Sequence, residues 1–279
     1  MTVSLSETRS ILNRLGIQPN RSLGQNFLIQ ANVVQYSVEE TPINPGDSVV
    51  EIGCGCGTLT SALVQAQACV FGVEKDQTLA RYIAETFPID LVHGDALITP
   101  VGNFDLSKPY KVVSNLPYAI ASVWLHQVLC LSRLPENLTL LVQKEAADRW
   151  LSPDHCKHFC PLGIRLQSAY QIKHQCIIHK RCFYPQPKID STLLFLQKKQ
   201  DAFIFSPELV ALMRDLFIHR RQQIPHICKR LKSDLARAFL SYLSQHYPST
   251  ALRAEEIPLE QWLTFARLVQ GNKQSRPKI

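Results

Sequence analysis

Long apolar runs are missing from this chain. Nowhere in its 279 residues do the roughly 18 consecutive apolar side chains of a membrane span occur, so no transmembrane helix and no membrane partner are expected. The polar stretch from Met1 to Arg14 lacks the apolar core of a secretory signal, and a cytoplasmic location is expected by default. Neither a heptad nor an exposed apolar stripe is evident, which favours a monomer. What remains is ample for folding. With 46% hydrophobic and 19% charged residues and a mean hydropathy of −0.05, the chain can bury the core of one large or two modest domains.

A disulfide framework is also absent. The nine cysteines are odd in number and scattered, and one pair lies inside a glycine loop, so they are read as reduced thiols. Eight potential metal ligands crowd together at His155, Cys156, His158, Cys160, His174, Cys176, His179 and Cys182. No Cys-x-x-Cys pair occurs among them, and the strand-like Gln171 to Ile178 would point alternate residues to opposite sides. No metal is expected.

Excess charge is absent from most of the sequence. Residues 1–196 contain 16 basic and 16 acidic side chains, whereas residues 197–279 contain 14 basic and 7 acidic. The formal net charge of +7 therefore lies wholly in the last part, just after the strand-like Ser191 to Leu196. That asymmetry points to a domain over residues 1–196 followed by a basic module over 197–279 that faces a polyanion.

The chemistry-bearing residues come in an order. Asp47 to Ile52 predicts a short strand running into Gly53-Cys54-Gly55-Cys56-Gly57 and then a helix over Thr58 to Gln67, a strand, glycine turn and helix start of the nucleotide-binding type. Thr58 stands where a dinucleotide fingerprint would need its third glycine, which favours an adenosyl cofactor over NAD. A second strand, Ala68 to Val73, ends in Glu74, placed to accept the ribose hydroxyls of a nucleoside. A third, Ile89 to Val92, is followed by Asp95, and a fourth, Tyr110 to Val113, by Asn115-Leu116-Pro117-Tyr118. Four strands thus deliver polar residues at their C-terminal ends, the ligand edge of an open parallel sheet. The expected fold is α/β with a Rossmann-like sheet.

Asn115 to Tyr118 carries the reaction. An amine conjugated to an aromatic ring is a poor nucleophile, and hydrogen-bond acceptors must take its protons. Asn115 offers a side-chain acceptor, and Pro117 can turn the Leu116 carbonyl outward as a second. Tyr118 offers a face on which a base can stack.

These segments together resemble the KsgA-type ribosomal RNA adenine dimethyltransferases, relatives of the macrolide-resistance methylases, from about residue 17 to 270. The likeness is carried by Gly24 to Leu28, Glu51 to Gly57, Glu74, Asp95, Asn115 to Tyr118, Leu141 to Glu145 with Arg149, and Phe183-Tyr-Pro-Gln-Pro-Lys-Ile-Asp-Ser191. In the C-terminal part it is carried by Phe217 to Arg221 and by Leu252 to Glu255 with Ile257. The resemblance implies an α/β fold, a Rossmann-like S-adenosylmethionine-dependent methyltransferase sheet with a smaller C-terminal helical RNA-binding domain over 197–279, and S-adenosylmethionine held by Gln25, Asn26, Leu28, Gly53, Gly55, Glu74, Asp95 and Asn115. It implies a flipped adenine oriented by Asn115 and the Leu116 carbonyl and sandwiched by Tyr118 and Phe183. It further implies ribosomal RNA gripped by Arg220 and Arg221, with the small ribosomal subunit as partner and two methyl transfers to each adenine.

Two departures bear on RNA contact: Gln222, Gln223 and Pro225 follow the arginine pair where the family commonly adds a base, and the usual Gly-Arg-Leu order is lost around Pro161-Leu162-Gly163. Rival readings are a methylase of large-subunit RNA, a DNA adenine methylase, and a ribosome-assembly factor for which methylation is secondary.

Overall fold

The computed structural model describes residues 4–19, 24–249 and 251–274. The chain divides into two compact units, Met1–Ala147 with Gln171–Lys199, and Asp148–Tyr170 with Gln200–Ile279. Asp148–Tyr170, expected in the first domain, groups with the C-terminal helices because Phe159 and Ile164 are buried among Leu212, Leu216 and Phe217.

The first unit begins with helix α1 (Leu5–Arg14), started by a capping box in which Ser4 and Glu7 exchange side-chain and backbone hydrogen bonds. Strand β1 (Phe27–Leu28) and helix α2 (Ala31–Glu39) follow. Strands then alternate with helices: β2 (Ser48–Ile52), α3 (Thr58–Gln65), β3 (Cys69–Glu74), α4 (Gln77–Thr86), β4 (Asp90–His93), β5 (Lys111–Asn115), α5 (Ala121–Val128) and β6 (Asn137–Gln143). Helix α6 (Lys144–Trp150) crosses into the second unit, which holds α7 (Pro161–Ala169); β7 (Tyr170–Ile178), β8 (Phe183–Tyr184) and β9 (Ser191–Lys198) complete the first.

Seven strands form one sheet in the order β4-β3-β2-β5-β6-β9-β7. Strands β2 to β6 pair in parallel, and β9 runs antiparallel to β6 over seven residue pairs. Val49, Val50, Val112, Leu138, Leu140, Val142 and Leu194 have no exposed surface, the continuous apolar reading of strands covered on both faces. The chain builds outward from β2 to β4 on one side, then returns to lay β5 on the other. The sheet therefore has its topological switch point between β2 and β5, where a crevice opens beyond the strands' C-terminal ends. Strands β1 and β8 form a separate two-stranded ribbon, with Phe27 opposite Tyr184 and Leu28 opposite Phe183.

The second unit adds α8 (Pro207–Ile218), α9 (Ile224–Leu231), α10 (Asp234–His246) and α11 (Leu259–Gln274). Ser206 and Ser233 cap α8 and α10 with their hydroxyls. The core is aromatic: Phe239 stacks on Trp262 with ring centroids 4.8 Å apart at 22° and packs at 4.8 Å from Phe265. Pro225 does not bend a helix. It sits in the first turn of α9, where its missing N–H has no partner to lose. Among the described residues no helix is long and apolar enough to cross a membrane.

Candidate functional site

The crevice at the switch point is a cleft of about 950 Å³, counted out to its solvent mouth. Three segments distant in sequence close on it. Gly53 has φ +74°, and a Cβ there would stand 3.2 Å from the Pro117 ring. Gly55 has φ +56°, and a Cβ there would stand 3.1 Å from the Phe27 ring. Glycine is required at both turns by handedness and by space, and its absence of side chain lets the segments around residues 25, 53 and 117 press together.

Acids line the wall formed by β3 and β4. Glu74 is 6% exposed; its two carboxylate oxygens accept the backbone N–H groups of Gly55 and Asp76, each at 2.9 Å. Burial pushes its pKa up, against the pull of these donors. Asp95 accepts Leu97 N–H on one oxygen and Lys75 Nζ on the other, both at 2.8 Å. The Lys75 ammonium is the main reason its carboxyl titrates below the usual range. Beneath the glycine turn, Glu51 is 2% exposed and accepts the Thr60 hydroxyl at 2.6 Å. Burial pushes its pKa up to about 8, with the Glu74 charge adding to the effect.

Opposite the acids stands the end of β5. Asn115 Nδ2 donates to the Asn26 carbonyl at 3.0 Å, and Asn26 Nδ2 donates to the Gly24 carbonyl at 3.1 Å. With its amide nitrogen so engaged, Asn115 presents Oδ1 as an acceptor. Leu116 N–H donates to the Leu141 carbonyl at 3.1 Å, while among the described residues no backbone donor bonds the Leu116 carbonyl. The Tyr118 hydroxyl and Ser191 Oγ are 2.6 Å apart.

Gln25, Asn26, Gly53, Gly55, Glu74, Asp95 and Asn115 to Tyr118 all line the cleft. Three residues expected at the site lie elsewhere or are differently engaged. Leu28 is 5% exposed and packs in the apolar core, because its place in β1 turns it inward. Phe183 is 2% exposed in the same core. Its ring meets Tyr118 at 6.4 Å and 69°, edge to face, so the two rings do not form a parallel-walled slot for a base. Arg220, expected to grip ribosomal RNA, donates Nε to Glu255 Oε2 at 2.8 Å, whereas Arg221 is exposed. Sequence inspection missed the Asn26 carbonyl, Lys75, Thr60 and the Ser191 hydroxyl. Only Ser191 carried a signal, as the last residue of the Phe183 motif. The eight clustered His and Cys residues fall in different units, and no group of three or more metal-ligating side chains occurs among the described residues.

The donor set fits S-adenosylmethionine. Glu74, Asp76 and Asp95 against Lys75 give the lining an acidic balance, suited to ribose hydroxyls, an adenine amine and a sulfonium cation, and unsuited to a pyrophosphate.

Comparison with known proteins agrees. The family described as "Ribosomal RNA adenine dimethylase" matches residues 16–270. The protein named "Ribosomal RNA small subunit methyltransferase A" from Opitutus terrae is 40% identical over 270 residues, 94% of this chain and 97% of its own. A dimethyladenosine transferase from Plasmodium falciparum superposes with a TM-score of 0.72 at 22% identity, over 89% of this chain and 98% of that one. The 23S rRNA methyltransferase ErmE superposes with a TM-score of 0.62 at 21% identity, over 88% and 100%; both share the fold. By a family match over residues 16–270 and a relative 40% identical across nearly all of both sequences, the chain belongs to the ribosomal RNA adenine dimethylases, whose methyl donor is S-adenosylmethionine.

Proposed function

We propose that the protein dimethylates the exocyclic amine of adenines in small-subunit ribosomal RNA, in the cytoplasm, during assembly of that subunit. The observation that carries this reading is the Asn115 amide, tied through Nδ2 to the Asn26 carbonyl at 3.0 Å so that Oδ1 is left to accept from a substrate amine. The small-subunit assignment draws on the name of the 40% identical relative.

S-adenosylmethionine supplies a methyl group already activated as a sulfonium electrophile. Glu74 would hold its ribose and Asp95 its adenine amine, with Gln25, Asn26 and the turn at Gly53 and Gly55 enclosing the remainder. Asn115 Oδ1 and the Leu116 carbonyl would accept hydrogen bonds from the two N–H groups of the target amine and aim its lone pair along the transfer axis, a gain of alignment rather than of basicity. Tyr118 would supply a stacking face worth about 1–3 kcal/mol, offsetting the few kcal/mol needed to flip the base. Neither an amide nor a carbonyl oxygen is basic enough to retain the proton released from the amine, so it passes to water. The second unit would bind RNA through exposed cations including Arg221, Lys229 and Arg230.

The test is methyl transfer from labelled S-adenosylmethionine to unmethylated small subunits, large subunits and DNA in parallel, followed by digestion to nucleosides. Dimethyladenosine from small subunits alone is the expected result. Label on large subunits or DNA overturns the substrate, and tight subunit binding without label would make the protein an assembly factor.

A further inference from the structure

The acidic lining of the cleft raises a problem that its rim resolves. A base flipped into the cleft stays attached to its strand, so its flanking phosphates must sit at the mouth, and negative charge from Glu74, Asp76 and Asp95 would repel them. The segment between β7 and β9 borders the cleft on the Tyr118 side. Tyr184 pairs with the cleft-lining Phe27, Phe183 meets the Tyr118 ring, and Ser191 bonds the Tyr118 hydroxyl.

That border is cationic and its charge is not neutralised. Arg9, on α1, lies over the Tyr184 ring at 4.9 Å. Arg181 gives Nε to the neutral acceptor His179 Nδ1 at 3.1 Å, leaving the rest of its guanidinium to solvent. Lys188 is exposed, as are Arg9 and Arg181. Lys180 reaches only the Lys188 carbonyl, at 3.5 Å. The carboxylate of this segment, Asp190, spends its Oδ1 on the Lys180 backbone N–H at 2.9 Å. Among the described residues none of these four cations makes an ion pair with an acid.

We propose that Arg9, over the Tyr184 ring, together with Arg181 and Lys188 of the segment that carries Tyr184, forms a phosphate-binding rim in the catalytic unit that holds the RNA backbone beside the flipped adenine, separately from the basic helices of the second unit. This rests on the RNA reading above. Fork-shaped guanidinium groups and a flexible ammonium, each exposed, are the groups that recognise phosphodiesters. Their phosphate contacts would fix register rather than sequence.

The experiment compares the unaltered protein with Arg181→Ala/Lys188→Ala and with the charge-preserving Arg181→Lys/Lys188→Arg. The measurements are binding of an adenine-containing single-stranded RNA across a salt series, S-adenosylmethionine binding and thermal unfolding. Removing both cations should lower the magnitude of the log–log salt slope by roughly 1.4, at about 0.7 per phosphate contact on a single strand. Cofactor binding and the unfolding midpoint should stay unchanged, and the charge-preserving pair should restore most of the slope. An unaltered slope in the alanine pair, with RNA binding by the parent protein intact, overturns the rim and leaves the proposed function standing. Absence of RNA binding by the parent protein overturns both.

Discussion

Asn115 and Asn26 are joined across 89 residues of sequence by a hydrogen bond from Nδ2 to a main-chain carbonyl at 3.0 Å. The bond decides which end of the amide faces the cleft, and with it whether the site can accept protons from an amine. The N-terminal segment that lines the cleft therefore also orients the Asn115 amide proposed to meet the acceptor base.

Asn115→Ala should leave S-adenosylmethionine binding largely intact and cut single-turnover methyl transfer at least tenfold, about 1.4 kcal/mol of barrier. Asn115→Asp keeps an acceptor but sets a carboxylate against the Asn26 carbonyl, and should be no better than alanine. Equilibrium dialysis with quenched-flow transfer separates the two quantities, and wild-type turnover in Asn115→Ala removes the residue from the mechanism.

Glu51 predicts a pH dependence of stability. In the folded protein its carboxyl keeps a proton up to about pH 8, whereas its ordinary value is 4.5. The unfolded chain thus binds fewer protons between those limits, and stability falls as pH rises through them, by at most about 5 kcal/mol. Glu51→Gln should flatten that decline in urea unfolding at pH 5, 6.5 and 8, and a curve parallel to wild type would show that Glu51 titrates normally.

Phe183 and Tyr118 should separate by phenotype. Phe183 is buried in the core, so Phe183→Ala should cost about 3–5 kcal/mol of stability. Tyr118→Ala should spare much more of the stability and weaken transfer through lost base stacking, about 1–3 kcal/mol. Equal loss of stability in the two variants would contradict this division.

Arg220 and Arg221, adjacent in sequence, are expected to differ as well. Arg220→Ala leaves Glu255 without its partner and should lower stability by about 1–2 kcal/mol. Arg221→Ala should change stability by less than about 0.5 kcal/mol and reduce the RNA salt slope by about one contact. Calorimetry and salt-dependent binding distinguish them.

Local order was legible in the sequence, long-range company was not. The strands ending at Ile52, Glu74, His93 and Asn115 could be read because glycine turns and short apolar runs are decided by neighbouring residues. Glu74, Asp95 and Asn115 line one cleft because a parallel sheet sends all its C-terminal ends to one edge. Leu28 and Phe183 pair with each other across the ribbon and turn into the core, a long-range contact that no local pattern shows. The bond between Arg220 and Glu255 likewise spans 35 residues and leaves no local signal. The grouping of Asp148–Tyr170 with the C-terminal helices likewise depends on Phe159 and Ile164 finding an apolar cluster that no local pattern announces.

The ribbon of β1 and β8 has only two residues in each strand, too little backbone pairing to hold by itself. Its persistence comes from Leu28 and Phe183, whose side chains are anchored in the core, while the adjoining Phe27 faces the cofactor cleft and Tyr184 the cationic border. The ribbon thus behaves as one hinge pin through two doors, and loosening either strand shifts both. Under the proposed site, retargeting this enzyme to a different base would accordingly call for exchanging both strands together, since grafting one without its partner would disturb the proposed donor site along with the acceptor site.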